Sequence, residues 1–268
     1  MRVARSATGR CRPDSPADTI TRIKIDVGLS HSAPNTQMWL EKIPGLVVFG
    51  FEPNLQAVSD MLSNRVRPST ANTKHLDRKY VGSQMFLFPV ALGSSRRHVD
   101  FHATKDPACS SLMEPDLEKM EDYGVPDCGV ADVYPVAVVT LSDLLSKIPW
   151  GTAGDAGVFQ IVEHIKTDAQ GHDVEVLRGA GPYLSQRVVC VTSEKFAWGY
   201  KEPGHNAQEL VDFMWQHGFA LLNAENEIDS VMDLTFYNTK FQDWLQEVDC
   251  SGGDDYYTGA RAVLTAAQ

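Results

Sequence analysis

Two consecutive segments of this chain share one design, and that repetition constrains the fold more than any other feature. IKIDV (23–27) is an apolar run with a polar end, followed by Gly28 and then by Ser32, Ala33 and Pro34, which can open a helix carrying Met38, Trp39 and Leu40. GLVVFGF (45–51) is nearly continuously apolar, as a strand buried on both faces requires. It stops at Glu52-Pro53-Asn54 before a helical stripe of Leu55, Val58 and Leu62. Strand-helix units in tandem predict a parallel sheet.

Later segments extend the pattern. QMFLFPV (84–90) supplies a third strand, ending at Ala91-Leu92-Gly93, and VYPVAVVTLSDLL (133–145) joins a β-prone run to a helix that Thr140 or Ser142 can cap. GVFQIVEHIK (157–166) is the fourth clear strand and leads into Thr167-Asp168-Ala169-Gln170-Gly171, then a helix with Val174, Val176 and Leu177. RVVCVTSE (187–194) is the fifth, and a helix over 206–218 with strands over 219–224 and 233–238 completes the order. The expected architecture is α/β: a mostly parallel, Rossmann-like sheet of about seven strands with helices on both faces. It forms one domain over 21–268 after a loose arm over 1–20, and GTAGDAG (151–157) reads as a loop inside that domain.

Charge and cysteine content narrow the function classes. Lys and Arg total 24 against 35 Asp and Glu, a formal net charge of −11, which argues against a nucleic-acid partner. Five cysteines, odd in number, widely spaced and without a CxxC pair, argue against a disulfide scaffold and for a reducing compartment. The first twenty residues hold no continuous apolar segment able to act as a signal core or membrane helix, so a cytosolic location without a membrane partner is expected.

In open parallel sheets ligands bind beyond the carboxyl ends of the strands. The residues to weigh are therefore Asp26 and Gly28, Glu52, Ala91 to Gly93, Asp168, and Glu194 with Lys195. Glu52 follows Gly28 by 24 residues and suits a ribose diol, its bland alternative being a solvent-facing carboxylate beside a proline turn. The turn after the first strand does not fit GxGxxG, and the chain has no GxxxxGK[ST], so a pyrophosphate is poorly provided for. A phosphate-free nucleoside cofactor can still use Gly28 for close backbone approach and Ser30 or Ser32 for hydroxyls. S-adenosylmethionine meets those demands, and its sulfonium favours nearby carboxylates or aromatic faces.

Asp168 is the strongest candidate for work on a substrate hydroxyl or a divalent cation, with His172 as the alternative base. The plainer reading has Asp168 capping the next helix and His172 on its first turn. His31 stands in the first strand-helix turn, and Trp198 with Tyr200 suits a substrate-facing loop. Cys109-Ser110-Ser111 lacks the base and elbow of a covalent catalyst, and no HExxH motif supports zinc hydrolysis.

With these residues in place, the chain resembles the FkbM-like family of S-adenosylmethionine-dependent methyltransferases. IDVG (25–28), FGFEPN (49–54), ALG (91–93), VVTLSDLL (138–145), IKTDAQGHDVEVLRGA (165–180) and VTSEKF (191–196) carry the resemblance, the segment at 165–180 most specifically. The resemblance implies a class I methyltransferase sheet with its last strand antiparallel, and methyl transfer to a hydroxyl of a sugar or small natural product. It puts Asp26 and Gly28 beside the methionine part of the cofactor, Glu52 on its ribose and Leu92 near its adenine, and has Asp168 orient or deprotonate the acceptor. Ser30, Ser32, Gln170 and Asp173 depart from the family's usual Asn, Gly, Glu and Glu. Those departures keep open a catalytically silent binding or scaffold protein; a nicotinamide-dependent oxidoreductase is disfavoured by the missing glycines. The partner implied is a small-molecule or glycan hydroxyl acceptor, with metal use and oligomeric state unspecified.

Overall fold

The computed structural model describes residues 22–67, 73–122, 127–150, 161–194, 199–202, 204–224 and 233–250. The first strand-helix unit is β1 (Ile23–Val27) followed by α1 (Pro34–Lys42). Proline occupies the first helical turn, and Ala33 at φ 48° turns the chain into it. The second unit is β2 (Val47–Phe51) and α2 (Leu55–Ser63), which Asn54 caps by accepting from the amides of Gln56 and Ala57. After β3 (Met85–Phe88) come β4 (Ala91–Leu92), β5 (Arg97–Thr104), α3 (Leu117–Asp122), β6 (Val130–Val139) and α4 (Leu141–Leu145). The remainder runs β7 (Val162–Thr167), α5 (Asp173–Arg178), α6 (Pro182–Arg187), β8 (Val188–Glu194), α7 (Ala207–Gln216), β9 (Phe219–Ala224) and β10 (Asp233–Asn238).

Seven strands form the main sheet in the order β3-β2-β1-β7-β8-β10-β9. All neighbours pair in parallel except β10, the last in sequence, which is antiparallel to both β8 and β9. This is the Rossmann-like, class I methyltransferase arrangement. The order reverses at β1, whose two neighbours are β2 and β7, and that is where a doubly wound sheet opens a crevice. One face packs Ile25, Val27, Ile165 and Val191 against Leu141, Leu177, Leu184 and Met214; the other packs Val48 and Met85 against Trp39, Leu40 and Met61. Burying each large apolar side chain contributes about 1.5–3 kcal/mol, and these two layers hold the strand ends in register.

A second sheet, ordered β4-β6-β5, is inserted between β3 and β7. The run expected at 133–139 belongs here rather than to the main sheet, and it begins at Val130. β5 and α3 escape a sequence reading, although Val99, Phe101 and Ala103 alternate with polar residues in RHVDFHAT and pack in one cluster. The cap of α4 resolves to Thr140, which forms a reciprocal capping box with Asp143.

The cysteine expectation is overturned. Cys109 pairs with Cys128 and Cys190 with Cys250. Sequence separations of 19 and 60 hid Cα pairs only 5.4 and 5.6 Å apart in the fold. The argument from cysteine usage to a reducing compartment falls with it. Among the described residues no helix is long and apolar enough to cross a membrane. The arm over 1–20, the loop at 151–157, Lys195 and Trp198 lie outside the described residues.

Candidate active site

The carboxyl ends of β1, β2 and β7 converge on a cavity of about 170 Å³, whose opposite wall is built by β4, Phe101 of β5 and residues 107–112. Of the residues singled out in the sequence, Gly28, Ser30, Glu52, Leu92, Asp168 and His172 all line it, and His31 does too. Ser32, Gly93 and Glu194 do not, and neither does Asp26. It lies buried beneath the first turn, where its Oδ2 accepts from Thr36 Oγ1 at 2.6 Å.

Gly28 is fixed by the protein's own main chain. Its φ is +79°, and a Cβ there would stand 1.9 Å from the carbonyl oxygen of Asp168. The two turns meet because Asp168 N donates to Val27 O at 3.0 Å, drawing the end of β7 against the end of β1. Only glycine fits between them.

Glu52, 6% exposed, ties the first turn to the second. Its Oε2 accepts from the amide of Ser30 at 2.9 Å and its Oε1 from the amide of Asn54 at 2.8 Å. Ser30 thus presents its main-chain N–H to Glu52, its φ of 55° aiming the amide inward. Burial pushes the Glu52 carboxyl up to about 7 even though these amide bonds oppose the shift.

His31 is oriented from below. Its Nδ1 lies 2.9 Å from Asp60 Oδ2, and Asp60 also binds Arg67 and, at 2.9 Å, Gln56. An ionised carboxylate only accepts, so Nδ1 carries the proton and Nε2 is left as an acceptor with no protein partner. Burial lowers the imidazole's pKa, which keeps the ring neutral.

Beside Gly28, the Asp168 carboxyl is held on both oxygens. Oδ2 accepts from Lys166 Nζ at 2.9 Å and Oδ1 from Gln170 Nε2 at 2.8 Å. Burial acts to raise the carboxyl, but the Lys166 charge and these bonds outweigh it and hold the pKa below the ordinary value. The same Gln170 nitrogen lies 2.8 Å from Glu194 Oε2. Asp168 does not cap α5, whose N-terminus has no side-chain cap; buried Asp173 instead accepts from Ala169 N, in the turn before the helix, at 2.9 Å. Burial lifts Asp173 to about 7.

His172 immediately precedes α5 and lies beside Arg97, whose Nη2 is 3.3 Å from its Nε2. A guanidinium can only donate, so that lone pair is engaged. Burial first and the Arg97 charge second lower the ring to about 4, leaving it neutral at physiological pH. Of the two, Asp168 has both oxygens anchored and a side chain 34% exposed, while its lowered pKa makes it no stronger a base than His172.

Sequence reasoning missed the contributions of Phe101, Ser111 and Gln170 to the site. Ser111 Oγ donates to the main-chain oxygen of Gln170 at 2.8 Å, an interaction 59 residues long that no local pattern signals. Tyr200 does not face a substrate: it is 1% exposed, packed with Cys109, Cys128 and Met120, and its hydroxyl donates to Gln170 Oε1 at 3.2 Å. His217 bonds the carbonyl of Phe213 within its own helical turn. Among the described residues no group of three or more His, Cys, Asp or Glu side chains is arranged to hold a metal ion.

No family model matches the chain, and no curated protein is similar to it. Among solved structures it is similar to magnesium protoporphyrin IX methyltransferase (ChlM) from Synechocystis PCC 6803 with bound SAM, at 10% identity over 82% of this chain and 71% of that one, TM-score 0.35. TnmH matches at 8% identity over 81% of this chain and 50% of that one, TM-score 0.36. Likeness at this level carries no argument about function; the fold rests on the strand order itself, and the site on its own geometry.

Proposed function

We propose that this chain is an FkbM-like, S-adenosylmethionine-dependent O-methyltransferase acting on a hydroxyl of a sugar or small natural product. The observation that carries the reading is the cavity at the sheet's switch point, lined by Glu52 and Leu92 and by Gly28 set against the main chain of Asp168. Its described lining includes Glu52 and Asp168 and neither Lys nor Arg, a donor set suited to a nucleoside cofactor without phosphates and to a sulfonium cation. Glu52 would take the ribose diol through the lone pairs its two amide bonds leave free, Leu92 would flank the adenine, and the unpartnered His31 Nε2 would accept from a cofactor hydroxyl or amine. Bound S-adenosylmethionine supplies the methyl group. Asp168 accepts a hydrogen bond from the acceptor hydroxyl, aligns its oxygen for an in-line approach, and takes its proton as the new C–O bond forms.

Calorimetric titration of the purified protein with S-adenosylhomocysteine tests the reading. Micromolar binding that weakens at least tenfold in Glu52→Ala is expected, while binding indifferent to that substitution would remove Glu52 from the ribose. Nicotinamide dinucleotide binding without S-adenosylhomocysteine binding would instead favour an oxidoreductase. A silent, binding-only protein is the second reading, favoured by the two candidate bases alike: Arg97 engages the His172 ring, held at about 4, and Lys166 holds the Asp168 carboxyl below its ordinary value. Binding without turnover across a panel of hydroxylated acceptors would establish it.

A further inference from the structure

We propose that His31 works with Glu52 as a two-acceptor reader of a nucleoside's vicinal diol, His31 Nε2 accepting from one ribose hydroxyl and Glu52 from the other, with Asp60 the positioning residue that keeps that nitrogen bare. The inference rests on the assignment of Glu52 to a ribose and commits His31 to a hydroxyl rather than an amine.

The His31 acceptor is built and left open. The ring is 1% exposed and lines the cavity, and among the described residues its buried Nε2 has no hydrogen-bond partner. An unpaired buried lone pair is costly, and a ligand hydroxyl donating to it removes that cost. The ring cannot turn over to satisfy itself, because Nδ1 lies 2.9 Å from Asp60 Oδ2. Asp60 is 0% exposed and fixed in its turn: Oδ1 accepts from Gln56 Nε2 at 2.9 Å and lies 3.6 Å from Arg65, and Oδ2 accepts from Arg67. A carboxylate facing two guanidinium groups stays ionised and can only accept, so the site selects the tautomer with its proton on Nδ1.

The same turn sets this acceptor beside Glu52. Ser30, the residue before His31, gives its amide to Glu52 Oε2 at 2.9 Å. Asn54, which gives its amide to Oε1 at 2.8 Å, caps α2, the helix that carries Asp60. Within α2, Ala57 lines the cavity and Asp60 stands one turn further on, against the imidazole. Two acceptors on one wall match two neighbouring donors, which is what a vicinal diol offers. Charge selects a hydroxyl over an ammonium. Arg67 and Arg65 already counter the Asp60 charge, so no net negative charge stands behind the ring, whereas the carboxyls of Glu52 and Asp168 line the same cavity and suit a cation better.

Nitrogen-15 magnetic resonance of histidine-labelled protein tests the dyad without a ligand. At neutral pH His31 should carry a proton on Nδ1 and none on Nε2, and Asp60→Asn, whose amide can donate to Nδ1, should let the other tautomer appear. A proton on Nε2 in the ligand-free wild type overturns the proposal whatever the cofactor is. S-adenosylhomocysteine should then move the Nε2 resonance. By calorimetry, its 2′-deoxy or its 3′-deoxy analogue should bind at least tenfold more weakly than the parent to the wild type, and this difference should vanish in His31→Phe. If His31→Phe does not fold, the resonance decides in the wild type: the analogue that lacks the read hydroxyl should leave Nε2 where it lies in the free protein. S-adenosylhomocysteine binding with Nε2 unmoved, or a deoxy penalty as large in His31→Phe as in the wild type, overturns the proposal and leaves the methyltransferase reading standing. No S-adenosylhomocysteine binding sinks the methyltransferase reading instead. The proposal then stands if nicotinamide dinucleotide, which carries the same adenosine diol, binds and moves Nε2, and falls if it does not.

Discussion

Replacing Gly28 by alanine separates what the protein demands of that position from what a ligand demands. The residue sits at φ +79°, and the added Cβ would lie 1.9 Å from Asp168 O, where contacts under 3.0 Å essentially never occur. The end of β7 must therefore back away from β1 by at least an ångström, against the 3.0 Å bond from Asp168 N to Val27 O. The left-handed backbone costs alanine about 1–2 kcal/mol, and forced overpacking adds about 1–3 kcal/mol. A total of about 2–5 kcal/mol corresponds, for a chain of this size, to a Tm lowered by about 5–15 °C. Gly45 is the matched control: its φ is +74° and nothing lies within 4 Å of its added Cβ, so Gly45→Ala carries the backbone cost alone. Scanning calorimetry on the ligand-free protein should show Gly28→Ala losing clearly more than Gly45→Ala. Equal losses would refute the contact between the two strand ends, and an unchanged Gly28→Ala would refute the conformational argument as well.

Two further outcomes concern pH. Glu52 and Asp173 both sit near 7 when folded and near the ordinary carboxyl value when unfolded, so the folded state keeps their protons longer. Their contribution is full below the unfolded pKa and is lost as pH rises to about 7, by up to about 3 kcal/mol for Glu52 and about 4 kcal/mol for Asp173. Urea unfolding at pH 5 and pH 7.5 should show this decline, flattened in Glu52→Gln and Asp173→Asn; a decline untouched by both variants would remove these carboxyls as its source. For His172, held at about 4, a nuclear magnetic resonance titration should find a neutral ring across pH 5 to 8, and Arg97→Gln should move its pKa upward. No movement would assign the whole depression to burial.

The main sheet is legible in the sequence because its strands are buried on both faces. IKIDV and VVCV need no partner to declare themselves, and the residues that close them, Gly28, Glu52 and Asp168, fall at the cavity for the same reason. The second sheet is only partly legible: the VYPVAVV run of β6 reads as a strand, whereas half-solvated β5 brings Phe101 to the cavity from among polar residues. The cysteine pairs fail for a different reason, since Cys190 meets Cys250 only after the chain has returned past β10. Tyr200 was misplaced because an aromatic residue between Gly199 and Lys201 looks like a loop tip, whereas its ring fills the space beside a disulfide. Asp26 illustrates the opposite limit: it lies inside β1 rather than after it, and its side chain turns beneath the first turn toward Thr36.

The interlocked strand ends impose an asymmetry on how such a site can change. Gly28, the Asp168 carbonyl, Glu52 and the amides of Ser30 and Asn54 are joined through main chain, so a substitution at one displaces the others. Phe101, Ser111 and Leu112 stand on an insertion outside the main sheet and meet the cavity from their own layer. Variation at Phe101 or Leu112 can reshape that wall without touching the interlocked strand ends, so new ligand preferences are reachable there by single steps. The glycine turn, by contrast, can be altered only by changing several residues at once.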